Sequence, residues 1–288
     1  MQSKRPLKRY PLTRSPLYRL RGKTKFEAII GVKWDAVPRL LDDKYYRVWI
    51  NKKGREIQAP QGRLLALHER IGKLLARIEL PDYVYSQKGR SYADNARAHR
   101  GGTPLIKTDI SRFYPSVTRQ AVFHMFLDVF ECAVDVARRL ADVCCYKQAY
   151  LPTGSPLSGR IAFFAKLRMF EKIAGLVRDA DCKMTVYVDD VTISGAAANK
   201  AMLSAVRRII RSYDLKTQDQ KSKTYASDAI KTVTGAIVVR DEVRLPNKRH
   251  LNIHLARKAV QVAAPENRKQ AQRVLAGRLQ EAQQVLRA

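Results

Sequence analysis

The chain has 288 residues, 45% of them hydrophobic, and its 55 Lys and Arg against 26 Asp and Glu leave a net charge of +29. This composition excludes a disordered chain, and no apolar run is long enough to cross a bilayer. Such an excess of cations predicts a polyanionic partner, and it favours nucleic acid over an anionic membrane surface.

The N-terminal stretch is strongly basic. The first 26 residues carry nine Lys or Arg and no acid, and they lack the apolar core of a signal peptide, so a cytoplasmic location is expected. The four cysteines have no zinc-like spacing and lie in apolar stretches, which predicts buried free thiols. They are Cys132, Cys144, Cys145 and Cys182.

In chain order, a basic arm with short helical segments comes first, over residues 1–44. The stretch "YYRVWINKKGREIQAP" from residue 45 predicts two strands joined by a turn at Lys52-Lys53-Gly54. A helix follows in "GRLLALHERIGKLLARIEL", because its leucines and isoleucine recur on one face. These residues are Leu64, Leu67, Ile71, Leu74 and Leu75.

From residue 104 strands and helices alternate. "PLIKTDI" predicts a strand, a helix begins at Pro115, and another follows "LPTGSPLSG". A hairpin over 183–194, a helix over 198–213 and the paired strands "TVTGAIVV" and "EVRLP" complete a β-α-β-β-α-β order that resembles the ferredoxin-like split βαβ unit. After Pro265 a basic amphipathic helix is predicted. Its apolar stripe comprises Ala271, Leu275, Leu279, Ala282 and Leu286.

The hairpin "TVYVDDVTIS" places two carboxylates, Asp189 and Asp190, at its predicted bend. A plain turn is one interpretation, since Asp is common in turns and two exposed charges repel by only about 1 kcal/mol in water. A partly buried pair would cost about 3–4 kcal/mol and would require a neutralising cation. Taken alone, the stretch slightly favours the plain turn.

A third carboxylate changes this balance. Asp109 ends the apolar strand "LIKTD", where an acid is costly unless it is paired or binds metal, although it could also cap a helix. In a split βαβ sheet this strand can lie beside the hairpin, which would bring Asp109 to face Asp189 and Asp190. Three carboxylates around one point on a strongly basic protein fit two-metal phosphoryl transfer with Mg²⁺.

Five motifs in order resemble those of reverse transcriptases. They are "INKKGREIQAP", "DISRFYP", "LPTGSPLSG", "YVDD" and "KSKT". "NARAH" at 95–99, "VTG" at 233–235 and the N-terminal "LTRSPLYRL" resemble elements of the bacterial retron branch. The resemblance implies a right-hand polymerase of α/β (α+β) class, with N-terminal arm and fingers over 1–103, a ferredoxin-like or RRM-like palm over 104–240 and a short helical thumb over 241–288.

The resemblance also implies roles for residues around the carboxylates. Asp109, Asp189 and Asp190 would be the catalytic residues and would hold two Mg²⁺ ions, for which Mn²⁺ could substitute, with the carbonyl of Ile110 as an extra ligand. Lys223 would act as general acid to the pyrophosphate, or would only hold a phosphate.

Nucleotide contacts are implied at the fingers, the end of the first palm strand and the "LPTG" loop. Lys53 and Arg55 would reach the triphosphate, unless they are only a solvated hairpin tip. Tyr114 would exclude the 2′-hydroxyl of ribonucleotides, or would simply belong to the core. The family usually has Gln at the position of Thr153, so sugar contact and fidelity are the expected points of difference. Two further groups complete the set. The backbone amides of Ser111, Arg112 and Phe113 would lie near the phosphates, and Gly154 would shape the loop under the base pair.

RNA and primer contacts are implied at the two retron-like signatures and the basic tail. Asn95 and His99 would contact the cognate RNA, but a packed or capping role for them has about even odds. Phosphate contacts along the template–primer duplex are expected from the tail. The remaining residues of this group are Val233, Thr234, Gly235, Arg268, Lys269 and Arg273. The alternative for "VTG" is a plain tight hairpin with no RNA contact.

The implied reaction is RNA-templated DNA synthesis from dNTPs in the bacterial cytoplasm. The template would be part of a dedicated structured non-coding RNA, primed from an internal 2′-hydroxyl to give a branched RNA–DNA (msDNA), and the complex would restrain an effector or toxin protein in anti-phage defence. Two alternatives stay open: an intron-type or other phage-defence reverse transcriptase with different priming, and a non-catalytic RNA-binding scaffold.

Overall fold

The computed structural model describes residues 8–286, so the first seven residues of the predicted basic arm and the last two of the chain lie outside the described part. Contacts divide the chain into two compact units, each assembled from separate stretches. The first unit contains Met1–Pro81, Ile110–Lys172 and Ile209–Lys216, and the second contains Asp82–Asp109, Ile173–Arg208 and Thr217–Ala288.

Helices and strands follow the predicted order closely. The α-helices are α1 (Lys23–Ile30), α2 (Gly62–Ala76), α3 (Tyr92–Arg97), α4 (Phe113–Ser116), α5 (Arg119–His124), α6 (Val134–Cys144), α7 (Ser158–Ala165), α8 (Leu167–Asp179), α9 (Lys200–Arg211), α10 (Asn247–Val262) and α11 (Pro265–Leu286). The strands are β1 (Tyr46–Ile50), β2 (Glu56–Pro60), β3 (Leu105–Asp109), β4 (Lys183–Tyr187), β5 (Asp190–Ser194), β6 (Lys223–Tyr225), β7 (Lys231–Val233), β8 (Ala236–Val239) and β9 (Glu242–Arg244).

The second unit is built on a four-stranded antiparallel sheet in the order β4-β5-β3-β6. This is the strand order of a ferredoxin-like split βαβ sheet, as the sequence predicts. Most side chains of β3, β4 and β5 are buried, because their runs of Val, Ile, Met and Thr suit a sheet covered on both faces. The sheet therefore gives the hairpin of β4 and β5 a rigid base.

A second sheet of three strands, β7-β8-β9, belongs to the same unit. It shares a hydrophobic cluster with α3, α10 and α11, in which Val233, Leu245 and Val285 are buried. On α11 the predicted apolar stripe packs through Leu275, Leu279 and Ala282. The predicted last residue of the stripe, Leu286, is wrong by one position, since Leu286 is 57% exposed and the buried residue is Val285.

The first unit has an aromatic core. Phe130 packs edge-on against Phe164 with ring centroids 5.4 Å apart, and Phe163 stacks on Phe170 at 5.5 Å. The helix predicted from Pro115 is instead two short helices, α4 and α5, because the chain is extended at Val117 and Thr118.

Other predictions are corrected in part. The leucine-rich helix α2 ends at Ala76, four residues before the end of its motif. Three cysteines are buried free thiols as predicted, whereas Cys182 is only half-buried. No helix among residues 8–286 is long and apolar enough to cross a membrane.

Candidate active site

The β4–β5 hairpin carries Asp189 and Asp190 in unlike positions. Tyr187 pairs directly with Asp190, so the two turn residues are Val188 and Asp189, and the predicted Asp-Asp bend is off by one residue. Val188 has φ = 61°, a left-handed conformation that β-branched residues rarely adopt and that costs on the order of 1–3 kcal/mol. The turn is therefore strained next to the acidic pair.

Asp109 lies opposite this hairpin. β3 pairs antiparallel with β5 so that Asp109 and Asp190 are direct cross-strand partners, which confirms the predicted neighbourhood of the first acid and the hairpin. The Asp109 side chain is 14% exposed. Strand register thus brings Asp109 and Asp190 together at one end of the sheet, and the hairpin turn carries Asp189 next to them.

Burial and like charge act together on the acidic pair. Burial, and then the negative charge of Asp109, raise the pKa of the Asp189 carboxyl to about 6. Burial also raises the pKa of Asp190, while the charge of Lys107 and a hydrogen bond from Thr192 Oγ1 at 3.2 Å oppose the rise. Such a cluster binds protons more readily than isolated acids unless a cation is present.

One cation already lies there. Lys221 Nζ is 3.0 Å from Asp109 Oδ2, at the end of a 3₁₀ turn over Asp219–Lys221. The turn is fixed to β3 because the Gln218 N–H donates to the Asp109 carbonyl at 2.8 Å. Sequence reasoning selected Lys223 and missed Lys221; Lys223 is exposed on β6 opposite Lys107.

The donor set suits a hard divalent cation. Carboxylate oxygens are the ligands that Mg²⁺ prefers, and the raised pKa values together with the ammonium of Lys221 mark a position where positive charge is favourable. Within residues 8–286 no three acidic, His or Cys side chains already converge on one metal position, so the three-carboxylate metal site stays a prediction. Ile110, whose carbonyl is the predicted extra ligand, follows β3 with its side chain buried.

The tip of the β1–β2 hairpin presents Lys53 and Arg55 to solvent. Asn51 Oδ1 accepts from the backbone N–H groups of both residues, at 2.8 and 3.1 Å, and Gly54 supplies the positive φ of 71° that the turn needs. Neither side chain forms an ion pair within the described residues. Their triphosphate contact stays a prediction.

The stretch after β3 is shaped by Arg112, which has φ = 48°. The Ser111 N–H donates to the Lys216 carbonyl at 2.7 Å, so this amide does not face a phosphate as predicted. Phe113 is buried edge-on against Phe170, with centroids 6.3 Å apart. Tyr114 is half-buried, and a Cβ at Gly159 would lie 3.5 Å from its hydroxyl.

The "LPTG" loop is fastened to β2 by Gln58. The Thr153 N–H donates to Gln58 Oε1 and the Gly154 N–H to the Gln58 carbonyl, both at 3.0 Å. A Cβ at Gly154 would lie 2.9 Å from that carbonyl oxygen and 3.1 Å from Ala59 Cα. The glycine is therefore required by close backbone approach, whatever its role beneath a base pair.

The two retron-like signatures pack against each other inside the second unit. Asn95 is fully buried, with Nδ2 3.3 Å from Thr234 Oγ1, and the Thr234 hydroxyl donates to the Tyr92 carbonyl at 2.8 Å. Val233 is buried, and Thr234 and Gly235 form the tight β7–β8 turn with φ of 44° and 83°. These contacts favour the packed role and the plain hairpin that the sequence left open.

His99 is buried behind the β4–β5 hairpin. Its Nδ1 lies 2.7 Å from Ser194 Oγ and its Nε2 2.7 Å from Thr185 Oγ1, one partner on each strand. Burial, with a smaller effect of the Lys183 charge, lowers the pKa of His99 to about 3, so the ring is neutral at pH 7. The ring has no exposed edge for RNA in this arrangement.

The predicted tail contacts lie on α11. Arg268, Lys269 and Arg273 are all exposed on the first part of this helix. No salt bridge holds them within residues 8–286. Their contact with a duplex stays a prediction.

The sequence of residues 42–252 matches the reverse transcriptase (RNA-dependent DNA polymerase) family. The retron Ec48 reverse transcriptase of Escherichia coli is 28% identical over 83% of this chain, and the retron Ec86 reverse transcriptase of the same species is 27% identical over 73%. The retron Mx162 reverse transcriptase of Myxococcus xanthus is 24% identical over 73%. The matches cover 64%, 68% and 51% of these relatives, so the chain spans about half to two-thirds of their length.

Among solved structures, apo telomerase from Candida tropicalis, truncated from its C-terminal domain, aligns with a TM-score of 0.51. The alignment covers 70% of this chain and 54% of that one at 13% identity, which is a likeness of fold alone. Together with the family match, it confirms the predicted right-hand polymerase fold. The chain belongs to the reverse transcriptase (RNA-dependent DNA polymerase) family and is similar to its bacterial retron members.

Proposed function

We propose that this protein is an RNA-directed DNA polymerase whose active site is the acidic end of the second unit's sheet. The observation that carries the proposal is the cross-strand pairing of Asp109 with Asp190, beside Asp189 in the strained turn. Strand register places Asp109 and Asp190, and the two-residue turn of the same hairpin carries Asp189. A basic surface suits both the template and the growing strand.

Mg²⁺ bound by these carboxylates would activate the primer hydroxyl and stabilise charge on the triphosphate. Burial raises the pKa of Asp189 to about 6, so a bound cation would stabilise the ionised form of this carboxyl. The Lys221 ammonium pairs with Asp109 at the edge of the acidic cluster. Released from Asp109, it is a proton donor to pyrophosphate in addition to the predicted Lys223.

Substrate selection is assigned to the first unit. Lys53 and Arg55 are charge-assisted donors for the triphosphate, on a hairpin tip whose backbone Asn51 holds in place. Tyr114 is the ring that would exclude a 2′-hydroxyl. Thr153, bonded through its backbone to Gln58, offers a shorter side chain than the usual Gln and a weaker sugar contact.

The finer proposal follows the similarity to retron enzymes. The template is a segment of a cognate structured RNA, priming is from an internal 2′-hydroxyl, and the product is a branched RNA–DNA. The complex would work in the bacterial cytoplasm beside an effector protein in anti-phage defence. Specificity for one RNA would come from its shape and its unpaired segments.

The test uses the protein purified with the nucleic acid it carries. Wild type and the Asp189→Asn/Asp190→Asn variant are compared on denaturing gels, before and after RNase or debranching enzyme. We expect a DNA of defined length in the wild type, shifted by either treatment and absent from the variant. RNA without DNA in both preparations would support the non-catalytic scaffold instead. A free-ended or protein-linked DNA would support an enzyme with different priming.

A further inference from the structure

A cavity of about 490 Å³ opens on the first unit, and none of the residues assigned to the candidate active site lines it. It lies among α1, the 3₁₀ segment Trp34–Leu41 and α2. The chemistry described above makes no use of it.

The α2 wall is a single helix face. Arg63, Ala66, Leu67 and Arg70 follow the i, i+3, i+4, i+7 spacing, with an arginine at each end and the small Ala66 between them. Arg70 is held in place because its Nε donates to the Ile29 carbonyl at 2.6 Å. The Arg70 guanidinium therefore has a fixed position in the cavity wall.

The cavity is lined by buried apolar side chains and by cationic side chains. The floor is apolar and buried, formed by Ile30, Leu40 and Leu67. Tyr45 adds an aromatic ring to the wall, and the cations Lys33, Arg39, Arg63 and Arg70 line it with no acidic side chain among them.

Two of these four cations have no ion-pair or hydrogen-bond partner within the described residues. Lys33 is paired with Glu27 at 2.8 Å and Arg70 bonds to α1 carbonyls. Arg39 and Arg63 are exposed and, within residues 8–286, form no ion pair or hydrogen bond. A ligand with an apolar, flat body and at least one anionic group is the chemistry that such a cavity complements.

We propose that this cavity binds one unpaired nucleotide of the RNA partner. The base would enter the apolar floor beside Tyr45, and its phosphates would meet Arg39 and Arg63. Structured RNAs are recognised in this way, because their unpaired bases stack on aromatic rings or guanidinium planes while arginine binds phosphate. This assignment rests on the proposed function in so far as it takes RNA as the partner.

The test begins with the probe and two matched double variants. Arg39→Gln/Arg63→Gln removes these two cations, and Arg138→Gln/Arg178→Gln removes two exposed arginines elsewhere. The probe is a fluorescein-labelled single-stranded RNA 20-mer, titrated at fixed salt. We expect the first variant to lose on the order of tenfold in affinity and the control to stay within about twofold. Equal losses would mean general electrostatics and would overturn the site.

Crosslinking locates the contact. After ultraviolet irradiation with the same RNA, we expect a tryptic RNA–peptide adduct that spans residue 45, formed by the wild type and by Tyr45→Phe and lost in the Arg39/Arg63 variant. Absence of that adduct from the wild type would overturn the site. So would competition by poly-glutamate as strong as that by unlabelled RNA, which would point to an acidic peptide. Thermal melting of each variant excludes loss of fold as the cause.

Polymerase activity is measured separately, on an RNA template with an annealed DNA primer and dNTPs. We expect the Arg39/Arg63 variant to reach the wild-type rate of extension at saturating template but to need more template for half that rate, because the cavity binds RNA and lies outside the active-site residues. If the wild type makes no DNA while the Tyr45 adduct forms, the proposed function fails and the RNA site stands. If DNA is made and the adduct is missing, the site fails alone.

Discussion

At the scale of single residues, the ion pair of Lys221 with Asp109 offsets part of the negative charge in the proposed active site. The ammonium 3.0 Å from Asp109 lowers the electrostatic cost of three neighbouring acids, and it opposes the rise that burial causes in the pKa of Asp189 and of Asp190. A divalent cation would supply the same compensation more strongly. Lysine and metal are therefore expected to substitute for each other in stabilising the acidic end of the sheet.

We predict that Lys221→Met makes folding more dependent on Mg²⁺. Without the ammonium, the metal-free protein keeps the repulsion among its carboxylates, so the rise in Tm on adding Mg²⁺ should exceed that of the wild type by about 2–4 °C. Differential scanning fluorimetry with EDTA or Mg²⁺ measures this. Lys223→Met, two residues away and exposed, should behave as the wild type; an equal change in both variants would contradict the assignment.

The carboxyl of Asp189 gives a prediction about pH. Its pKa is raised to about 6 in the folded protein, above the ordinary value of 3.8 for an unperturbed Asp. Because the folded state binds this proton more tightly, the group favours folding below pH 4, and that contribution is lost as the pH rises through 6. Asp189→Asn removes the effect.

Without metal, Asp189→Asn should accordingly be more stable than the wild type at pH 7, by on the order of 2 kcal/mol, and nearly equal to it at pH 4. Urea denaturation in EDTA at the two pH values measures the difference. A constant difference between the variant and the wild type at both pH values would show that Asp189 does not titrate in this window.

At the scale of elements, the sequence predicted the sheet well and the details of its turns less well. Hydrophobic runs identify β3, β4 and β5, and the split βαβ pattern gives their order. Within "YVDDVTI" every residue but the aspartates is a β-former, so periodicity could not decide which two residues form the turn. The same limit applies to "KSKT". Lys221 ends a 3₁₀ turn and Lys223 begins β6, and the residue pattern does not show where the turn gives way to the strand.

Helix α3 joins features that the sequence could identify only as separate signatures. Its N-terminus has a capping box between Ser91 and Asp94, and the residues after its C-terminus bring His99 into contact with both strands of the β4–β5 hairpin. Asn95 meets the β7–β8 turn at Thr234. The element therefore holds the hairpin from within the second unit.

We predict that His99→Ala destabilises the fold by about 2–4 kcal/mol, because it leaves a cavity and two buried hydroxyls without partners. Chemical denaturation measures the loss. His124→Ala removes an exposed histidine and should change stability by less than about 0.5 kcal/mol. Weaker RNA binding by His99→Ala with unchanged stability would instead support the RNA contact.

At the scale of the whole molecule, the net charge follows directly from composition, whereas the way distant segments combine into compact units does not. Contiguous segments 1–103, 104–240 and 241–288 stay a prediction, while the compact units draw on separate stretches such as Ile110–Lys172 and Asp82–Asp109. Composition does not reveal which distant segments pack together. The net charge of +29, in contrast, needs no fold to predict salt-sensitive binding.

The last prediction concerns this charge on α11. Changing Arg268, Lys269 and Arg273 together to Gln should lower the slope of log affinity against log salt by about 0.9 for each duplex phosphate that the variant no longer neutralises. Filter binding to an RNA–DNA duplex at several salt concentrations measures the slope, and the effect should be the same for unrelated duplex sequences. The charge-preserving exchange Arg268→Lys/Lys269→Arg/Arg273→Lys should keep the wild-type slope. An unchanged slope in the Gln variant would remove α11 from the duplex-binding surface and leave the phosphates to other cations of the chain.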